Sequence, residues 1–459
     1  MDTESVSNYL TKPEQLTYQV IRPFQRFFRN EASSTILLMA ATVIALVWAN
    51  APFGASYHHL WETDLVIGVG DFTIRHSLRE WIDEGLMSIF FFIVGLEIKR
   101  EVLVGELATL KKAIFPVAAA IGGMLVPAAI YYLFNRGQAT AHGWGIPMAT
   151  DIAFALGAIF VLRHRVPLSL RIFLSAFAIA DDIGAVLVIA LFYTEKIVAH
   201  YFVISLSLVL CIAAANFFGV RETLPYGLLG ILLWFAILGS GLHATVAGIV
   251  VAAFIPAKGR YDTDQFLQKT QSYLSEFQCP PDGCGYSVMQ NERHRNAIQA
   301  MELACHNAET PLQRLEHALH PWVAFGVIPL FALVNAGLTL GGMDLMEILT
   351  SHATLGITLG LFLGKPIGVT LFALLAVKTG MASLPSGARW SHIVGAGFLG
   401  GIGFTMSLFI SGLSFPTHEM QDYAKIGIII GSCASGIVGL ILLHSISVRD
   451  ATADARERQ

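Results

Sequence analysis

Apolar residues in this chain gather into runs of about 17–25, the length that crosses a bilayer as a helix, with polar residues confined between the runs. They predict helices over 34–52, 84–98, 113–135, 147–163, 168–193, 201–219, 224–240, 242–257, 321–340, 353–378, 391–413 and 423–445. The second run is short and ends at Glu97. The seventh and eighth are separated only by Gly239-Ser240-Gly241, which demands a tight turn. Between the first two, Leu65–Ile74 alternates apolar with small or polar residues around Gly68 and Gly70, the pattern of a short β-hairpin. A polar segment, 258–315, separates the eighth and ninth runs; it holds Pro280-Pro281 and Gly283, and its later part, Asn291–Ala308, suits a surface helix. The expected organisation is an all-α polytopic membrane fold: an N-terminal segment 1–33, spans over 34–257, an insert 258–315, spans over 316–445, and a tail 446–459.

Composition agrees. Of 459 residues, 54% are hydrophobic and 14% charged, with a mean hydropathy of +0.62; a soluble chain carries nearer a quarter charged residues. The net charge of -4 gives no sign of a nucleic-acid partner. Twelve spans put both termini on one side. If that side is cytoplasmic, the outer loops hold Arg75, Arg79, Arg136, Lys196 and Lys425, Lys365 lies within a span, and the other 23 of the 29 Lys and Arg fall inside. This asymmetry follows the positive-inside rule and makes the insert cytoplasmic. Ala49-Asn50-Ala51 resembles a signal-peptidase site, but the apolar run before it is too long and begins too far from the N-terminus, so it is read as a retained span. Five cysteines are too few for a disulfide framework. Cys211 and Cys433 lie in apolar runs as small core residues. Cys279 and Cys284 with His306 match no standard zinc spacing. No cofactor is expected, and the insert is too small for an enzyme domain.

The chemistry lies in charges that the bilayer should exclude. Each costs about 2.5–3.5 kcal/mol at a span centre, so intramembrane charges mark ion or proton pathways. Asp151, Asp181, Asp182 and Lys365 all fall within predicted spans. One Asp with Lys365 would make a structural ion pair, but that accounts for two of the four. Asp181 and Asp182 are adjacent, so a helix turns them about 100° apart. One can face an aqueous cavity while the other faces a neighbouring helix. In low dielectric they should titrate as a coupled unit. Such a site holds either protons or a hard monovalent cation, and competition between the two is the simplest chemistry of antiport.

Two spans read as broken helices. Thr150-Asp151 follows Gly143, Gly145 and Pro147, and Gly400-Gly401-Ile402-Gly403-Phe404-Thr405 is too glycine-rich for an uninterrupted helix. Unwound backbone survives at membrane depth only where it lines a cavity or is buried in protein. Half-helix ends also carry partial charge, which Asp151 and Lys365 are placed to neutralise. Lys365 sits between Gly364 and Pro366, so its helix should be deformed there.

At these residues the chain resembles the NhaA-type sodium/proton antiporters of bacterial inner membranes. The matching strings are Phe92-Ile93-Val94-Gly95-Leu96-Glu97-Ile98-Lys99-Arg100-Glu101, Ala149-Thr150-Asp151-Ile152-Ala153-Phe154-Ala155, the Asp181-Asp182 segment and Leu242-His243-Ala244-Thr245. Leu315-Glu316-His317, Gly364-Lys365-Pro366 and Gly401-Ile402-Gly403-Phe404-Thr405 complete the set. The resemblance implies inverted-topology repeats of the kind known in this family, with broken fourth and eleventh helices crossing near the bilayer middle. It implies cation and proton binding at Asp181 and Asp182 with Thr150 nearby, and charge balance by Asp151 and Lys365, the latter also pairing with Asp181. It further implies export of sodium or lithium against inward protons, homodimers joined through the outer hairpin, and alkaline activation through Glu97, Arg100, Glu101 and Glu316, with His243 affecting the pH response. Two carboxylates allow two protons per cation, so exchange is expected to be electrogenic.

Two departures stand out. The family usually has Asp where this chain has Glu84, and the insert 258–315 is long and adjoins Glu316, which suggests a shifted pH threshold or a cytoplasmic regulator. Three other classes compete with the antiport reading. A sodium-coupled solute symporter needs an organic-substrate cavity that the sequence does not mark. An intramembrane aspartyl protease would use Gly68-Val69-Gly70-Asp71, but that motif lies in the hairpin, and Asp181 and Asp182 share one helix. A passive cation channel would be obstructed by Lys365.

Overall fold

The computed structural model describes residues 31–69, 72–162, 166–193, 198–277, 291–339 and 345–457. Most of the N-terminal segment, Asp71, Lys196, Cys279 and Cys284 lie outside the described residues. In chain order the main elements begin with α1 (Glu31–Asn50), the antiparallel strands β1 (Asp64–Val69) and β2 (Phe72–Ser77), α2 (Met87–Val104) and α3 (Leu110–Asn135). A 3-10 segment, Ala139–Met148, leads to α4 (Ile152–Val161), α5 (Leu168–Phe192), α6 (Ala199–Phe217), α7 (Thr223–Ser240) and α8 (Thr245–Phe254). Then come α9 (Thr263–Ser275), α10 (Glu292–Ala308), α11 (Pro311–Asn335), α12 (His352–Lys378), α13 (Trp390–Gly400), α14 (Phe404–Ser414) and α15 (His418–Glu457).

Among the described residues, each of the twelve predicted spans contains helix. Among the described residues eight helices are long and apolar enough to cross a membrane, and two bent pairs act as broken spans. The remaining two positions belong to α2, whose charged end includes Glu97, Lys99, Arg100 and Glu101, and to the short α8. The hairpin pairs Asp64 with Ser77 through Val69 with Phe72. Gly241 adopts a left-handed conformation, φ 82°, which makes the tight turn between α7 and α8 possible.

Several boundaries differ from the apolar pattern. α11 begins at Pro311, ahead of its apolar run, because a helix continues into solvent when its polar residues (Gln313, Arg314, Glu316 and His317) can be hydrated. The fourth span is broken as expected, but its first half is the 3-10 segment starting at Ala139, where Gly143, Gly145 and Pro147 dilute the apolar signal. In the insert, α10 matches the expected surface helix. α9 was not foreseen; it is capped by the Asp262 side chain, which accepts from Gln265 N at 2.8 Å.

The chain forms two compact units. The first comprises 1–90, 101–195 and 321–459, the second 91–100 and 196–320. The second is built around Leu96, Ile212, Tyr226, Leu233 and Val251, and its α6 exposes apolar residues over most of its surface, as a lipid-facing helix does.

The first unit holds two runs of three spans, each with the broken one in the middle: α3, the 3-10 segment with α4, α5; and α12, α13 with α14, α15. The third and tenth spans are an odd number of crossings apart, so the two runs have opposite directions. α3 and α12 meet where neither has a side chain: a Cβ on Gly122 would stand 2.2 Å from Gly368 O, and one on Gly368 would stand 2.1 Å from Gly122 O. Small residues allow this approach of backbones in the bilayer. A core of Phe115, Phe173, Phe177, Ile393 and Leu399 packs beside the crossing.

Candidate functional site

Where the two broken spans cross, the free backbone groups are satisfied by specific partners. The pairs bend by 41° at 149–151 and by 47° at 401–403. Asp151 N donates to Ile402 O at 2.6 Å, joining one break to the other. Thr150 Oγ1 donates to Gly400 O at 2.8 Å. Gly403 N donates to Ser432 Oγ on α15 at 3.2 Å, and Ser407 Oγ donates to Ile146 O at 2.7 Å. Every one of these groups is cut off from water, where an unpaired backbone group costs several kcal/mol.

Asp151 caps two helices at once. Its Oδ1 accepts from Phe154 N at 3.1 Å at the start of α4. Its Oδ2 accepts from Thr405 N at 2.9 Å and Thr405 Oγ1 at 2.5 Å at the start of α14. Both starts are positive ends of helix dipoles, so one buried carboxylate balances both. Thr405 is a partner of Asp151 that no local pattern singles out. It was legible only as part of a glycine-rich string, since its contact with Asp151 is 254 residues distant.

Asp181 and Asp182 sit mid-helix on α5, with 0% and 1% exposure. Lys365, also 0% exposed, begins the regular part of α12 just after a π-helical turn, Gly360–Gly364, so its helix is indeed deformed. Its Nζ donates to Asp181 Oδ2 at 2.6 Å and lies 5.6 Å from the centroid of the Phe177 ring. Lys365 therefore binds Asp181, while Asp151 is held by Thr405 and the two helix starts. The other Asp181 oxygen, Oδ1, is buried and accepts no hydrogen bond of good geometry. Thr150 faces that carboxylate, and Asp182 is within electrostatic reach of Lys365. The arrangement is a buried set of oxygen donors around the Lys365 side chain. A hard monovalent cation or a proton is what such oxygens accept; the adjacent carboxylates on one helix do not form the facing pair of an aspartyl protease.

The residues expected to sense pH are more dispersed. Arg100 on α2 forms an ion pair with Glu316 on α11. Lys99 Nζ donates to Ala253 O at 2.7 Å and Ile255 O at 2.5 Å, closing the C-terminal end of α8. Glu101 Oε2 accepts from Glu106 N at 2.9 Å and so caps the following turn. Glu97 lies on α2 and His243 in the connection between α7 and α8.

Similarity to known proteins covers this whole framework. The family model described as Na+/H+ antiporter 1 matches residues 25–443. The Na(+)/H(+) antiporter NhaA 2 of Syntrophotalea carbinolica is 48% identical over 430 residues, covering 94% of this chain and 98% of its own. NhaA of Oleidesulfovibrio alaskensis is 49% identical over 426 residues, covering 93% and 94%; NhaA of Koribacter versatilis is 47% identical over 425 residues, covering 92% and 91%. Among solved structures, the sodium proton antiporter MjNhaP1 of Methanocaldococcus jannaschii aligns with a TM-score of 0.40 at 14% identity over 89% of this chain and 90% of its own, too loosely to bear on the fold. The matched region holds both broken spans, the paired carboxylates and the buried lysine, and the chain belongs to the Na+/H+ antiporter 1 family.

Proposed function

We propose that this chain exchanges sodium for protons at Asp181 and Asp182, with Thr150 as a further oxygen donor. The observation that carries the reading is the buried Asp181 carboxylate, held by Lys365 through one oxygen while the other faces Thr150 and accepts no hydrogen bond of good geometry. A cation arriving there competes with protons and with the lysine ammonium for the same oxygens. Loading therefore follows deprotonation, and protonation expels the cation. Coupling requires that the site open to one side at a time, which the crossing of half-helices supplies as a place where backbone can shift without breaking a whole span. Two carboxylates per site allow two protons per cation, and on this reading the exchange is electrogenic. Lithium, equally hard and smaller, is a second substrate. Family membership favours antiport over sodium-coupled solute uptake.

On this reading the protein acts in a bacterial inner membrane with both termini and the insert in the cytoplasm, an orientation that the Lys and Arg distribution supports. It forms homodimers through the β1–β2 hairpin. Alkaline activation runs through Glu97, Arg100, Glu101, His243 and Glu316.

Everted vesicles with an acid interior test this directly. A pH-sensitive dye is followed on adding sodium from about pH 6.5 to 9, with wild type and Asp182→Asn side by side at matched expression. Sodium-driven alkalinisation of the interior is expected in wild type alone, rising with pH. Absence of any response to sodium or lithium in folded wild type overturns antiport, and equal activity in the variant means the site is elsewhere.

A further inference from the structure

In the second unit, the end at which α6 stops and α7 and α11 begin holds a small cleft open to solvent. Arg221 and Glu222 reach it from the α6–α7 connection, Arg260 from the chain after α8, His306 from α10, and Glu309 and Arg314 from the start of α11. The backbone holds the walls: Arg260 N and Tyr261 N both donate to Asn307 O, at 2.7 and 3.1 Å. Arg260 Nη2 donates to Glu222 Oε1 at 3.1 Å. Arg314 is half-buried; its Nη2 donates to Arg221 O at 3.2 Å, and its Nη1 faces the His306 ring, 2.9 Å from Nδ1.

The cleft is short of acceptors. Three guanidinium groups converge against two carboxylates, and one of those is already engaged by Arg260. Arg314 Nε is buried with no hydrogen-bond partner. A guanidinium has only donors, so its contact with the His306 ring brings no negative charge to the cleft.

The geometry points to a binding site for a phosphate-class oxyanion at Arg260, Arg314 and His306. Tetrahedral oxygens match the fork of a guanidinium and supply the acceptors of which the cleft is short. The same chemistry is presented by inorganic phosphate and by the headgroup of a phosphomonoester lipid such as phosphatidic acid. The site stands apart from the Asp181–Asp182 centre, and its occupation is read without measuring transport.

The test uses the purified full-length protein in detergent. Isothermal titration calorimetry with inorganic phosphate, and with chloride as the control anion, forms one arm. Native mass spectrometry of protein offered phosphatidic acid or phosphatidylcholine in mixed micelles forms the other. Arg314→Gln and the half-exposed Arg260→Gln are compared with Arg293→Gln, which lies on α10 outside the cleft lining. Binding is expected to weaken by about tenfold or more in both cleft variants and to be unchanged in the control. Arg260→Gln, whose side chain is half in solvent, keeps the result readable if Arg314→Gln fails to fold. Phosphate binding that depends on the cleft supports a soluble anion; retention of phosphatidic acid alone supports a lipid headgroup. Failure of both to exceed their controls, or cleft variants that bind as wild type does, overturns the proposal.

Discussion

The Lys365–Asp181 pair sets the terms at the residue scale. Two charges with no exposure attract strongly, but each has lost its hydration, so removing one partner strands the other at a cost of about 3–5 kcal/mol. Lys365→Met or Asp181→Leu alone should lower the melting temperature of the purified protein markedly. The double variant should melt closer to wild type than either single one, and still fail to transport. Thermal unfolding in detergent checks the order of the three. Asp151 makes a second case. Thr405 gives it both an amide and a hydroxyl hydrogen bond, and a hydrogen bond to a charged group contributes about 1.5–3 kcal/mol. Thr405→Val should destabilise the protein by roughly that amount and slow sodium-driven exchange, while Thr405→Ser, which keeps the hydroxyl, should restore both. Melting curves and vesicle assays on the two variants separate the outcomes.

At the scale of elements, the contact of α3 with α12 is limited by backbone. Gly122 and Gly368 face each other so closely that a methyl group on either meets a carbonyl oxygen near 2 Å, at 2.2 and 2.1 Å. No rotamer relieves a clash with backbone, so the helices must separate. Gly368→Ala is expected to cost about 1–3 kcal/mol. Gly412 on α14 is also helical, but nothing lies within 4 Å of where a Cβ on it would stand, so Gly412→Ala should be neutral or stabilising by up to about 1 kcal/mol. Comparing the two alanine variants by thermal unfolding tests the crossing, since propensity alone predicts stabilisation in both. The broken spans follow the same logic: their bends persist because Thr150, Ser407 and Ser432 take up the backbone groups that the missing helical bonds release.

For the molecule as a whole, Arg100 and Glu316 belong to the proposed pH response and come from α2 and α11, which are distant in sequence. If their pairing matters to activation, Arg100→Glu and Glu316→Arg should each shift the pH profile of vesicle exchange, and the charge-swapped double variant should return it toward wild type. Equal profiles in all four proteins would reduce the pair to a helix-end contact. Partial exposure limits the pair's direct contribution to stability to about 1 kcal/mol, so the profile is the more telling readout.

The sequence by itself determined the spans, the hairpin and the identity of the charged residues that matter. Apolar run length is set by bilayer thickness, and the cost of burying a charge singles out Asp151, Asp181, Asp182 and Lys365 wherever the chain later folds. It also marked where helices break, because glycine and proline act through the local backbone. The tertiary structure decided which charge meets which. Lys365 and Asp181 are 184 residues apart, and Asp151 and Thr405 are 254 apart. No periodicity links such positions; they meet because two oppositely directed triplets of spans pack with their broken members crossed. Helix ends that continue into water, as α11 does, escaped the apolar pattern for the converse reason: hydration there removes the pressure that makes a span visible.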